Sequence, residues 1–209
     1  MNKNYILFIT LASLLTFFGY LTKQLLSIDE VLINSLAERI SYEQITQILI
    51  FQKKWYWVSL IISPILLLLK VFIITAIIDA GCFFFSREIK YKKLFNIVVK
   101  AEFVFLLVIV FKTVWFYAFQ PNFTLEDLQN FYPLSALNII GYQGLDAWFV
   151  YPFQVLNLFE IAYWFILAYL IGKEINENID KGFSIVASSY GVGLLIWVVG
   201  VMFLTLNMS

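Results

Sequence analysis

The chain has 209 residues, is 62% hydrophobic and only 13% charged, and carries a formal net charge of zero. A soluble domain is roughly half apolar and about a quarter charged, so this composition, with a mean hydropathy of +0.85, belongs to the membrane class. The absence of histidine and the single cysteine exclude imidazole acid–base chemistry, histidine metal sites, Cys–His dyads and intrachain disulfides, and the charge balance points to no nucleic-acid partner.

The predicted elements are helices, taken here in chain order against the roughly 20 residues that one crossing needs. Span one covers residues 5–21 between Lys3 and Lys23. A signal peptide is the competing reading; the apolar run is too long and no A-x-A-like site follows, which favours an uncleaved anchor. Residues 24–54 are mixed. Ser27–Glu30 and Ser41–Gln44 have the capping-box pattern, a hydroxyl followed three residues later by Glu or Gln. Two short helices follow, with Ile28, Leu32 and Leu36 on one face and Ile45, Ile48 and Leu49 on the other's. Their expected place is the membrane surface, with packing against a neighbouring loop as the alternative.

Span two, residues 56–84, is long for one crossing and is expected as a single tilted helix bent near Pro64. Span three is 94–117, span four 149–171 and span five 183–206. Trp55, Trp57, Trp115, Tyr117 and Trp148 fall near span ends, where amphipathic rings prefer to sit. The outer loop between spans three and four opens a short helix at Thr124–Asp127; Pro133 stops it and Gly141 and Gly144 mark turns. Phe131, Tyr132, Leu134, Leu137 and Ile140 are expected to hold this loop against the membrane.

The short turn 86–93 carries Arg87, Lys90, Lys92 and Lys93, and the turn after span four carries Lys173 and Lys181, whereas 118–148 has no lysine or arginine. The positive-inside rule then places the N-terminus in the cytoplasm and the C-terminus outside. Segment 24–54 runs against that rule with Arg39, Lys53 and Lys54. With no long polar region in the chain, a bacterial inner membrane is the expected location.

Six ionisable residues fall inside expected spans: Lys70, Asp79, Lys100, Glu102, Lys112 and Glu160. A charge at the bilayer centre costs at least ~2.5–3.5 kcal/mol, so such residues face the bundle and find partners. At ~1.5 Å per residue, Glu160 lies about 16 Å and Lys70 about 22 Å from the outer surface, which makes them a pair across spans two and four. Asp79 and Lys100 are the second expected pair, with Glu102 close by, and Lys112 can snorkel or reach toward Glu160. Gln154, Asn157 and Glu160 recur at i, i+3, i+6 on one face of span four. Ser184, Ser188, Ser189, Gly191 and Gly193 are small residues that permit close helix packing in span five. The intramembrane polar groups either lock helices together or line a path.

No phosphate loop, HExxH or GxSxG motif appears, Cys82 reads as a packing residue, and neither an enzyme nor a cofactor is expected. Asn122-Phe123-Thr124 and Asn207-Met208-Ser209 fit the glycosylation triplet.

Residues 144–197, "GLDAWFVYPFQVLNLFEIAYWFILAYLIGKEINENIDKGFSIVASSYGVGLLIW", place an Asp before an aromatic-rich span, then a short polar turn, then a small-residue span entered through "KGFS". This resembles the closing pattern of the Yip family of five-span membrane proteins, relatives of Golgi Rab-GTPase-interacting factors that are widespread in bacteria. "REIKYKKLFNIVVKAEF", residues 87–103, is similar to that family's basic turn into its third span, and the likeness covers about residues 55–206. The family's long acidic N-terminal region has no counterpart ahead of span one, so the resemblance carries over no Rab-type partner. It implies a non-enzymatic integral membrane protein acting through lipid or protein partners. The expectation is therefore an all-α polytopic protein of about five spans, with short surface helices in its two outer segments. Its function would be that of a scaffold or accessory subunit of a membrane assembly; the alternative is a small transporter or channel component with a polar path near Lys70 and Glu160.

Overall fold

The computed structural model describes residues 3–37 and 40–208, and all of its named elements are helical. Arg39, among the cations of segment 24–54, and Ser209 of the last glycosylation triplet lie outside the described residues. Four stretches are long and apolar enough to cross a membrane: Tyr5–Leu25, Tyr42–Phe84, Tyr91–Phe119 and Ile179–Met208. The chain is thus an all-helical protein with the build of an integral membrane protein.

Helix α1 is Lys3–Leu25. Its threonines Thr10, Thr16 and Thr22 return their hydroxyls to the carbonyls of Ile6, Ala12 and Phe18, so these three hydroxyls do not face hydrocarbon unpaired. Thr22 also meets the Thr113 hydroxyl at 2.7 Å, tying α1 to a later helix. Helix α2, Ile28–Ala37, follows Ser27, whose φ is 45°. There the Glu30 N–H donates to the Ser27 carbonyl at 2.9 Å, and the expected capping box is not made. At Ser41 it is made: the hydroxyl accepts from the Gln44 N–H while Gln44 Oε1 accepts from the Ser41 N–H at 3.1 Å.

The helix opened at Ser41 corrects one expectation. Helix α3, Tyr42–Phe84, is a single helix of 43 residues with Pro64 inside it, about 64 Å long. Residues 42–54 are its first turns and not a separate surface helix. No glycine or proline stands between Tyr42 and Ser63 to end it, and Gln52, Lys53 and Lys54 are good helix formers.

The basic turn leads into α4, Tyr91–Glu102, and α5, Val104–Val114, which closes in a π-helical turn, Trp115–Phe119. The segment expected to lie on the outer side holds α6, Leu125–Asn130, and α7, Ala136–Ile140. Thr124 and Asp127 form the expected box, and the Tyr142 hydroxyl donates to Asp127 Oδ1 at 2.8 Å. The Thr124 backbone N–H, its hydroxyl and the Tyr142 hydroxyl hold the Asp127 carboxyl below the ordinary carboxylate range. In turn, the hydrogen bond to Asp127 raises the Tyr142 phenol. Gly141 and Gly144 have φ of 83° and 77°, left-handed turns that favour glycine. Phe131, Tyr132 and Leu137 pack inward on the bundle, with Phe131 stacked 5.4 Å from Trp115, while Leu134 and Ile140 stay exposed.

Helices α8, Ala147–Val155, and α9, Leu158–Glu174, replace the uninterrupted fourth span. Then come α10, Ile179–Val186, a second π-helical turn, Ala187–Gly191, and α11, Val192–Met208. Helix α9 lies at the centre: Tyr163, Leu167, Ala168 and Ile171 are fully buried with Val98 and Val99 of α4 and Ile185 and Val186 of α10. Lipid is as apolar as leucine, so this packing rests on close approach rather than on hydrophobicity. A Cβ at Gly182 would lie 2.0 Å from the Ala168 carbonyl oxygen, and one at Gly172 would lie 2.7 Å from that of Asn178. At one end of the bundle, Arg87 pairs with Glu177 and Lys93 with Glu174, and Lys181 sits 5.3 Å over the Phe85 ring. The two turns that the charge rule assigns to one side are therefore joined.

Candidate functional site

The site is built on the break between α8 and α9. Pro152 supplies no N–H, so α8 is already one hydrogen bond short. Leu156 then leaves the helix and Asn157 is extended, at φ −140° and ψ 160°. One side chain serves both halves. Asn157 Oδ1 accepts from the Glu160 N–H at 2.8 Å, capping α9. Asn157 Nδ2 donates to the Gln154 and Val155 carbonyls, each at 2.9 Å, closing the end of α8.

The remaining freed backbone is paired by the outer segment, which folds back to reach it. Ser135 and Asn157 form an antiparallel bridge. The Ala136 N–H donates to the Leu156 carbonyl at 2.8 Å and the Leu158 N–H to that of Leu134 at 3.2 Å. Ser135 and Asn157 are both buried. Non-helical backbone inside a membrane protein is tolerated where protein covers it or where it lines a cavity, and this break meets both conditions. The expected face of Gln154, Asn157 and Glu160 on one continuous helix is corrected: Gln154 belongs to α8 and donates to the Asn130 carbonyl, Asn157 is the cap, and Glu160 is in the first turn of α9.

At that position the helix dipole favours the Glu160 carboxylate. Its Oε1 accepts from the Tyr190 hydroxyl at 2.7 Å and from Trp164 Nε1 at 3.0 Å. Tyr190 stands in the Ala187–Gly191 π-helical turn, a local widening that aims it inward. Gly191 admits the Trp164 ring, which a Cβ would meet at 2.5 Å. Among the described residues, Glu160 Oε2 has no hydrogen-bond partner. The half-buried carboxylate lines a cavity of about 730 Å³ whose walls include Leu134, Ile139, Leu158, Ile161 and Phe165. A second cavity, of about 620 Å³, lies across the folded-back segment and is lined by Trp115, Phe116, Gln120, Asp127 and Tyr142. Leu134 and Asn138 line both.

Lys70 does not pair with Glu160. Its Nζ is 2.8 Å from Glu102 Oε2 and 4.4 Å from the Phe105 ring centroid. Glu102 is nearer because α3 packs directly on α4, whereas Glu160 is already occupied by Tyr190 and Trp164. The side chain of Lys70 is 46% exposed and that of Glu102 is 3% exposed. Glu102 Oε1 and the Tyr163 hydroxyl are both buried without a partner. Tyr163 also packs edge-on against Tyr190, 5.3 Å between ring centres, so Lys70, Glu102, Tyr163, Tyr190 and Glu160 form one polar seam through the bundle. Tyr132 joins it from the outer segment; burial first, then the Glu160 charge, push its phenol up to about 12.

The expected Asp79–Lys100 pair is not formed: among the described residues neither makes an ion pair, and Lys100 lies on the exposed face of α4. Lys112 is half-buried and likewise reaches no carboxylate. Of the five small residues expected to pack, Ser189 lies where a Cβ on Gly81 would meet it at 2.5 Å, Gly191 receives Trp164, and Gly193 sits against Ile77. Ser184 and Ser188 face outward and return their hydroxyls to the Asp180 and Ser184 carbonyls, so they do not pack helices. Sequence reasoning missed Tyr163 and Tyr190 and gave Tyr132 only a membrane-anchoring role, although Tyr163 follows Glu160 at the i+3 spacing that puts two side chains on one face. It also missed the break, whose signal was Asn157-Leu158-Phe159-Glu160, a cap residue followed three positions later by Glu. Among the described residues no three His, Cys, Asp or Glu side chains gather as metal ligands. No protein-family model, curated protein or solved structure matches the chain.

Proposed function

We propose that the chain is a multi-pass membrane protein that binds and passes a ligand at its interrupted helix, as a small transporter or channel component without catalysis of its own. The observation that carries this reading is the break at Leu156–Asn157, with a carboxylate in the first turn beyond it and a folded-back segment sealing the freed backbone. Membrane transporters place their ligand sites at such discontinuous helices, where an ion or polar group can meet backbone and side chain inside the bilayer. On this reading α8 and α9 together make a fifth crossing, the joined basic turns face the cytoplasm, and a bacterial inner membrane is the setting. A second reading, the scaffold or subunit of a membrane assembly that the Yip resemblance implies, is favoured by Lys70–Glu102, which ties α3 to α4 as a helix lock would.

Cysteine accessibility separates the two. In a Cys82→Ser background, single cysteines are placed at Ser135, Leu156 and Gln154 and treated with a membrane-impermeant methanethiosulfonate. Reaction at the break positions, with none at the lipid-facing control Phe203→Cys, supports a ligand path. Silence at all three break positions removes the path and leaves the scaffold.

A further inference from the structure

The two cavities flanking the folded-back segment share a chemistry. Each has one charged side chain in its lining, and in both it is acidic: Glu160 in one, Asp127 in the other. Neither is lined by lysine or arginine, and residues 118–148 contain none at all. The rest of both linings is mostly apolar and includes aromatic rings: Trp164, which donates to Glu160, and Phe165 in the cavity of Glu160, and Trp115 and Phe131 in the cavity of Asp127. A carboxylate among aromatic faces is the environment that recognises an ammonium group, by charge and by cation–π attraction. An anionic head would meet like charge in both cavities and no cation in either.

The cavities meet at Leu134, whose backbone is itself unusual. Its φ is 56°, a left-handed conformation costly for a bulky side chain. Its carbonyl holds the Leu158 N–H, and the exposed residue lines both cavities. Strained backbone persists only where the surrounding structure holds it, and it clusters at ligand-handling sites.

We infer that the ligand is an amphiphile with an ammonium head and an apolar body, which passes between the Asp127 cavity and the Glu160 cavity beneath Leu134. This rests on the ligand-path reading above and names its ligand class. The Glu160 carboxylate takes the head with its unpartnered Oε2, and Leu158, Ile161 and Phe165 take the body from the lipid side.

The test uses the whole protein in lipid nanodiscs and three bromoalkyl probes of equal chain length: 11-bromoundecyltrimethylammonium, 11-bromoundecanoic acid and 11-bromoundecanol. Bromine quenching of Trp164, taken as wild type minus Trp164→Phe, reports occupancy of the Glu160 cavity. The ammonium probe should half-quench at a roughly ten- to hundredfold lower mole fraction than the acid or the alcohol, the range that one desolvated charged contact supplies. Glu160→Gln should bring it to the alcohol's value, and Glu160→Asp, which keeps the charge, should retain the preference. Equal quenching by all three probes, or a preference unchanged in Glu160→Gln, overturns the ammonium assignment and leaves the path reading standing. Absence of any Trp164 quenching, including exclusion of the probes by a second copy of the chain seen in native mass spectrometry, overturns both.

Discussion

Lys70 and Glu102 should respond very unequally to loss of their partner. The pair is asymmetric, since the lysine side chain is 46% exposed while Glu102 is 3% exposed and already has one oxygen without a hydrogen bond. Lys70→Met therefore leaves a carboxylate buried in the bundle with neither oxygen paired. Breaking a buried pair in this way costs about 3–5 kcal/mol. The exposed lysine argues for the lower end, about 3 kcal/mol, because solvent or headgroups already screen part of the attraction. Glu102→Gln leaves an ammonium that can extend along its exposed side, so its cost should be near 1 kcal/mol. The double variant leaves no uncompensated charge and should lie within about 1 kcal/mol of wild type. The implied coupling of about 3–4 kcal/mol is well above the error of a double-mutant cycle.

The assay is reversible unfolding in mixed micelles, followed by tryptophan fluorescence, with thermal midpoints as a second readout. A loss of 3 kcal/mol at this chain length corresponds to a shift on the order of 6–12 °C. Equal losses in the two single variants, with additive behaviour in the double, would show that the pair does not join α3 to α4 energetically. The same result would take Glu102 out of the polar seam as a charged member.

Gly182→Ala should loosen the α9–α10 hairpin by about 3 kcal/mol or more, since its Cβ would lie 2.0 Å from a backbone oxygen, whereas Gly200→Ala, with nothing within 4 Å, should be neutral or slightly stabilising in the same unfolding assay. The outer segment should loosen in acid. Asp127 has a folded pKa below its unfolded value, so its stabilisation is present above about pH 4 and is lost as pH falls through the lowered value. Hydrogen exchange of residues 124–131, corrected for intrinsic rates, should show that loss in wild type and a flat profile in Asp127→Asn. Leu134→Gly should relieve a left-handed leucine and raise stability by up to about 1 kcal/mol, with faster exchange of the quenching probes between cavities; lowered stability would mean that the leucine side chain matters more than its backbone strain.

Much of the fold was legible in the sequence because lipid imposes a simple rule. A backbone that must satisfy itself forms helices, and runs such as 63–81 announce them by length and hydropathy alone. Partner choice was not legible. Depth along a helix axis brought Lys70 to the level of Glu160, but depth says nothing of the angle around the axis or of which helices touch. Glu102, on the helix that α3 packs against, took the lysine.

The broken span shows how the same rule can hide a site. Residues 147–174 are apolar enough to read as one crossing, and hydropathy averages over the two positions that matter. The local chemistry read differently: Pro152 removes a donor, and Asn157 with Glu160 offers a cap that competes with continuing the helix. The same kind of pattern was legible at Ser41 and Thr124, where polar surroundings drew attention to it. Inside a hydrophobic run a cap alone would leave backbone groups bare in lipid. It succeeds here because Leu134 and Ala136, from a segment twenty residues earlier in the chain, supply the missing partners. A break in a membrane helix is therefore a tertiary event with a local sequence signal, and a cap pattern within a span acquires meaning when a nearby loop is rich enough in turns, as 131–144 is, to fold back and pair with it.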